Sequence, residues 1–227
     1  MISIIIPVLN EEKHIERLLQ QLSELETSIS YEIIVVDGGS QDQTVMIARK
    51  SAQVYQLKDT NRGAQLKYGV EKSSGEFLWF LHGDSRLGST RNLLEQIQSA
   101  LGDDGCYSAG FFELSFDSSD FFYRYLAITS NLRARYLGLI FGDQGMFTKR
   151  SCYEKIGGFE PIPLMEDWRL SRRLKQLGNF YQLPVRIITS SRRFHKGKLR
   201  THLKMHKIKL FYLMGMSPDK LMHRYYK

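Results

Sequence analysis

The sequence is poor in cysteine and has no long apolar run. Two of its 227 residues are cysteines, Cys106 and Cys152, with neither metal-ligand spacing nor a disulfide framework. They read as small packing residues in a reducing cytoplasm. No stretch approaches the ~20 apolar residues that cross a bilayer. The start, "MISIIIPVLNEE", has no basic segment or small-residue cleavage site, so no signal peptide is expected. Repeats, low-complexity tracts and Pro/Gly/Ser-rich linkers are missing, which argues against repeat architectures and against two separate domains. No G-x-G-x-x-G follows the first apolar run, which argues against a dinucleotide oxidoreductase, and the absence of G-x-x-x-x-G-K-[ST] excludes a P-loop NTPase. "PVLNEE" is also not the glycine- and arginine-rich loop of a sugar nucleotidyltransferase.

Charge is present but uneven. The formal net charge is +8, yet Ser191–Lys227 holds 11 of the 32 Lys/Arg and a single acid, Asp219. The remainder carries 21 basic and 23 acidic residues, so the body is near neutral and the tail is basic. An anionic partner is therefore expected for the tail rather than for the whole protein.

Apolar periodicity gives the organisation. "ISIIIPV", "YEIIVVD", "AQVYQL" and "EFLWFLHGD" are short β-rich runs separated by helical patterns. The first helix places Ile15, Leu18, Leu19, Leu22 and Leu25 at helical spacing, with Asn10 expected as its cap. Other helices are expected near Thr44–Ser51, from Arg62, and over Thr90–Leu101. Such alternation predicts parallel strands joined by right-handed crossovers, an α/β Rossmann-like half. Beyond it come a strand in "CYSAGFFELSF", a long helix in "FFYRYLAITSNLRARYLG", a strand and helix in "GDQGMFTKRSCYEKIGGF", a helix in "LMEDWRLSRRLKQLG" stopped by Gly178, and an extended "YQLPVRIITSSRR".

Ligands of open parallel sheets bind outside the carboxyl ends of the strands. Here those ends read Pro7-Val8-Leu9-Asn10-Glu11-Glu12, Asp37-Gly38-Gly39-Ser40 and His82-Gly83-Asp84-Ser85. One strand-end acid is often a turn former; three at successive ends suggest a ligand rim. Asp37 can accept from a base or ribose. Asp84 is a hard oxygen ligand suited to Mg2+ or Mn2+. Arg62-Gly63, opening a helix, can face an anion. Nucleotide, metal and diphosphate form a coherent set.

In this order, "IIIPVLNEE", "IIVVDGGSQDQT", "NRGAQLKYG", "FLHGDS", "GDQGMF" and "LMEDWRLSRRL" resemble inverting glycosyltransferases of family 2. The resemblance runs from about Ile2 to Arg193 and is nearest to a short bacterial branch, some of whose members are described as arsenosugar-biosynthesis glycosyltransferases. It implies a GT-A fold with a mostly parallel central sheet flanked by helices. A catalytic domain over residues 1–193 and a basic amphipathic extension over 194–227 are expected. Pro7, Leu9, Glu11, Asp37, Arg62, Gly63 and Asp84 would bind a nucleoside diphosphate sugar, uridine being the default base. Asp84 matches the last acid of the family's Asp-x-Asp motif, but His82 replaces the first. His82 and His195 are thus secondary metal-ligand candidates beside Asp84. Asp167, with Glu166 beside it, would be the general base for a hexosyl transfer, and helix capping is the bland alternative. Gln144 and Trp168 would border a small-molecule or lipid-linked acceptor. A non-catalytic nucleotide-sugar-binding or membrane-docking subunit is the competing reading. The Gln-x-x-Arg-Trp motif of processive synthases is absent.

From Leu199, the residues Leu203, Leu210, Phe211 and Met214 fall roughly on one helical face among Lys198, Arg200, Lys204, Lys207 and Lys209. Two readings stay open: a helix on anionic lipid at the inner membrane, or one packed on the catalytic domain or a second copy in a homodimer. No nucleic-acid module is recognisable, and no nucleic-acid partner is expected.

Overall fold

The computed structural model describes residues 1–102, 107–195 and 197–226. Cys106 lies outside them, and Cys152 is a half-buried free thiol. Strand β1 (Ile2–Val8) leads through α1 (Glu12–Ser23) to β2 (Tyr31–Asp37), and α2 (Thr44–Ala48) leads to β3 (Gln53–Gln56). Helix α3 (Arg62–Glu71) returns the chain to β4 (Phe77–Phe80) beside β1. All pairings among these four strands are parallel. Burial on both faces explains the β-branched runs: every residue of β1 is buried. Ile4, Ile6 and Val8 join the core under α1, while Ile5 faces Leu66 and Val70 of α3.

The second half is mixed. After β5 (Arg86–Leu87) and α4 (Leu93–Ala100) come β6 (Tyr107–Phe116), α5 (Phe121–Leu137) and β7 (Phe147–Lys149). Helices α6 (Arg150–Lys155) and α7 (Glu166–Leu177) precede β8 (Asn179–Thr189), and α8 (Lys198–Leu213) and α9 (Pro218–Tyr226) follow it. One eight-stranded sheet results, ordered β3-β2-β1-β4-β7-β6-β8-β5. Strand β7 is antiparallel to both its neighbours, β6 runs parallel to β8, and β5 is antiparallel to β8. The β6–β8 register slips between Phe112 and Glu113, opposite Pro184, which has no N–H to donate to the ladder.

Two expectations need correction. Asn10 does not cap α1: it sits at φ 56° and its side chain accepts from Gln41 N–H at 2.8 Å. It thereby ties the β1 loop to the β2 loop. In the tail, Leu199, Leu203, Leu210 and Met214 do share a face, but that face is exposed. Phe211 turns inward instead, and α8 and α9 pack on the body through Ile208 and Leu221, against Met165 and Trp168. No helix among the described residues is long and apolar enough to cross a membrane.

The amide of buried Gln65 fixes α3 to the sheet, donating to Val8 O at 2.9 Å and Val36 O at 2.8 Å. Replacing it with leucine removes both bonds from a buried junction, although Val8 O keeps Gly38 N–H as a donor. Gln65→Leu should lower unfolding free energy by about 2 kcal/mol, read from urea denaturation.

Candidate active site

The carboxyl ends of β1, β2 and β4 meet at one rim, as their shared parallel direction requires. The loops behind them are laced together: Gly38 N–H donates to Val8 O, Asn10 N–H to Ser40 Oγ, and Glu11 N–H to Thr44 Oγ1. Pro7 is buried opposite Val36, and Leu9 projects 54% exposed at the rim. Asp37 is fully buried and accepts from the N–H groups of Gly39 and Ser40. It holds its own glycine turn in shape, and Gln56 approaches it at 3.5 Å.

Asp84 and Glu11 converge on one guanidinium. Arg192, in the helical turn Ser191–Phe194, pairs with Glu11 Oε1 and lies 3.2 Å from Asp84 Oδ2. The other Glu11 oxygen is buried without a hydrogen-bond partner. Two carboxylates with an orphaned oxygen fit a hard divalent cation that takes its remaining ligands from substrate phosphates. No cluster of three or more His, Cys, Asp or Glu could hold an ion alone among the described residues. His82 Nε2 meets Arg62 Nη1 at 3.2 Å. Burial first, then Arg62, Arg193 and Arg192, push its pKa well below the usual imidazole value, so the ring is neutral. His195 is exposed just after the Arg192 turn.

The second cluster opens α7. Met165 at φ 69° turns the chain so that Glu166 and Asp167 enter the first helical turn, where the positive end of the dipole favours acids. Glu166 is 1% exposed and its carboxylate pairs with Arg62 Nε, while its second oxygen is orphaned. Burial raises the Glu166 carboxyl and Asp167 adds to the shift, against the pull of Arg62. Asp167 is the more accessible: Oδ2 accepts from Gly142 N–H at 3.0 Å and lies 3.6 Å from Arg62, and Oδ1 accepts from Trp168 N–H. Gly63 lies where an added Cβ would stand 2.2 Å from Glu160 O, so close approach of α3 to the loop before α7 explains this glycine. Trp168 stacks on Phe141 and meets Tyr212 of α8 edge-on. Gln144 is buried and receives Arg133 Nη2 at 2.9 Å.

Two groups beside this cluster escaped sequence reasoning as site residues. Arg133 of α5 and Lys209 of α8 lie 3.9 and 4.8 Å from the Phe141 ring centre. Burial raises the carboxyl of nearby Asp143, against Arg133, Arg193 and Lys209. The only signal for Arg133 and Lys209 was an unusual density of basic residues on helices otherwise read as packing elements.

The Glycosyl transferase family 2 sequence profile matches residues 3–157. The chain belongs to this family. AglE, a glycosyltransferase of Haloferax volcanii, is 41% identical over 91 residues, which is 37% of this chain and 30% of that protein. Human dolichyl-phosphate beta-glucosyltransferase is 31% identical over 119 residues, 45% of this chain and 36% of that one. The chain therefore spans about a third of these relatives' length. The structure of S. aureus TarS 1-349 with UDP-GlcNAc superposes with TM-score 0.66 at 17% identity, covering 84% of this chain and 58% of TarS. That of the mannosyltransferase PcManGT from Pyrobaculum calidifontis, with GDP-Man and Mn2+, gives 0.66 at 18%, covering 98% and 68%. At such identity the likeness concerns the fold, which is GT-A.

Two outcomes are expected of these residues. Arg62→Met leaves the buried Glu166 carboxylate unpaired and should cost about 3 kcal/mol in a urea melt; adding Glu166→Gln should recover part of the loss. Lys209 is pushed down to about 8, by burial first and then by Arg133, from an ordinary 10.5. Between those values the unfolded chain binds the proton that the folded chain has released, so stability rises with pH. The rise across pH 8 to 10.5 should be smaller in Lys209→Met, measured as urea midpoints of the two proteins.

Proposed function

We propose that the protein is an inverting glycosyltransferase that moves a hexosyl group from a nucleoside diphosphate sugar, UDP-linked by default, to an acceptor hydroxyl. The observation that carries this reading is the contrast between the two acids opening α7. Glu166 is sealed against Arg62, whereas Asp167 is oriented by Gly142 N–H and Arg62 and keeps some exposure. TarS bound to UDP and UDP-GlcNAc, and a glucosyl-3-phosphoglycerate synthase of Mycobacterium tuberculosis bound to UDP and Mn2+, support the donor class and the metal.

In this mechanism the nucleotide lies across the rim at Leu9 and Glu11, over the loops that buried Pro7 and Asp37 hold in shape, with the diphosphate toward Asp84. An Asp167 oxygen takes the acceptor hydroxyl proton as that oxygen bonds to the anomeric carbon from the face opposite the leaving group. The carbon–oxygen bond to the diphosphate breaks, its electron pair going to the departing phosphate oxygen. A Mg2+ or Mn2+ held by Asp84, with Glu11 near it, would neutralise that charge. Arg62 and Gly142 N–H hold the Asp167 carboxylate in one direction. One displacement needs one base, unlike glycosidases, which flank the bond with two carboxylates. The acceptor, a small molecule or a lipid-linked one, would enter on the Asp143, Gln144 and Trp168 side.

Asp167→Asn should reduce sugar transfer roughly 100- to 10,000-fold while keeping the thermal shift induced by a UDP-sugar with Mn2+. Asp84→Asn should lose the metal-dependent part of that shift. Undiminished turnover in both variants would remove the mechanism.

A further inference from the structure

Helices α5 and α8 lie side by side and point the same way. Asp120, capping α5, pairs with Lys198 at the start of α8. One turn further on, the His202 ring meets Phe122 at 5.8 Å and Tyr125 at 6.1 Å. Toward their ends Arg133 and Lys209 share the Phe141 ring. Each helix buries one face: Tyr123, Leu126 and Ala134 on α5, Ile208 on α8.

The outward faces are apolar as well. On α5, Phe121, Tyr125, Ile128, Leu132 and Tyr136 are exposed at i, i+4, i+7, i+11 and i+15, a single stripe. On α8, Leu199, Leu203, Leu210 and Met214 form a second stripe, opposite Ile208. Ile128 and Leu210 are 58% and 56% exposed, so neither stripe is covered by the rest of the chain. Tyr125 and His202 bring the two stripes to one seam. Soluble surfaces seldom carry so extended an apolar area without a partner.

Charge identifies the partner. Neither helix contains an acid, although the chain has 24 of them, while α5 carries three basic residues and α8 five. Exposed Arg124 and Arg135 border the α5 stripe, and exposed Arg200 and Lys207 border that of α8. Parallel amphipathic helices with apolar stripes and purely cationic borders suit a surface that is oily inside and negative at its edge. A second copy of this chain would instead set these cations against one another.

We propose that α5 and α8 together form a docking surface for an anionic phospholipid bilayer, the stripes entering the headgroup boundary and the flanking cations meeting lipid phosphates. The surface is separate from the acids assigned to transfer, so it stands or falls apart from that reading. It enlarges the tail's role: half of it comes from the body of the protein.

The test is flotation of the full chain with phosphatidylcholine vesicles, with and without phosphatidylglycerol. Binding to the anionic vesicles, weakened by salt and much reduced without phosphatidylglycerol, is the expected result. Ile128→Asp on α5 and Leu210→Asp on α8 should each reduce it by about tenfold or more. Each of Arg124→Gln and Lys207→Gln should cost about fivefold. Unchanged circular-dichroism melts would show the variants folded. Failure to float with either vesicle, or binding indifferent to the α5 substitutions, overturns the proposal. So does a concentration-dependent dimer in sedimentation that Ile128→Asp or Leu210→Asp dissociates.

Discussion

One guanidinium holds the candidate site at the start of α7 together. Arg62 enters from the first turn of α3 and meets Glu166, Asp167 and His82, groups delivered by two other parts of the chain. Two adjacent carboxylates at a buried helix start repel each other and resist desolvation, so without a counter-ion at least one would take up a proton. Burial alone would lower the arginine's own pKa; Glu166 and Asp167 outweigh it and raise it. The start of α3 is correspondingly well fixed. Asn61 accepts from Ala64 N–H and donates to Pro161 O, joining the helix to the loop that precedes α7. Gly63 leaves no room for a side chain at the same junction.

The rim at the ends of β1 and β4 follows the opposite plan. There the carboxylates of Glu11 and Asp84 are only 15% exposed, but their counter-ion, Arg192, is 42% exposed and comes from the end of the long β8 excursion. A half-exposed ion pair of this kind is weakly bound and easily exchanged. The sealed pair and the exchangeable one suit the roles proposed above: a base at Asp167 would have to keep one orientation, while a donor end would have to admit and release a diphosphate.

Much of this was legible in the residues because the first half is built from local rules. Strands buried on both faces must be β-branched runs, and crossovers to parallel partners must be helical, so β1 to β4 could be read directly. Acids at their ends had to share a rim. What stayed hidden depends on long-range pairing. Nothing near Arg192 indicates Glu11, 181 residues away. Asn10 looked like a helix cap because the sequence does not show that the neighbouring loop offers it a better donor, Gln41 N–H. The tail showed its apolar stripe but not its inward side, since α8 presents apolar residues on both faces: Ile208 inward, Leu210 outward. The stripe on α5 was lost in a helix that reads as apolar nearly all round.

The inward side of α8 bears on how the chain can be cut. A boundary at the change in composition, near Arg193, looks natural for making a shorter protein. Ile208 and Leu221 nevertheless share a buried cluster with Met165 and Trp168, which flank Glu166 and Asp167. Removing the last two helices would wet the indole and the Met165 turn that aims both acids. A truncated protein would lose the wall behind the Glu166–Asp167 cluster before it lost its sheet, and a fold intact by spectroscopy would be a poor guide to an intact site.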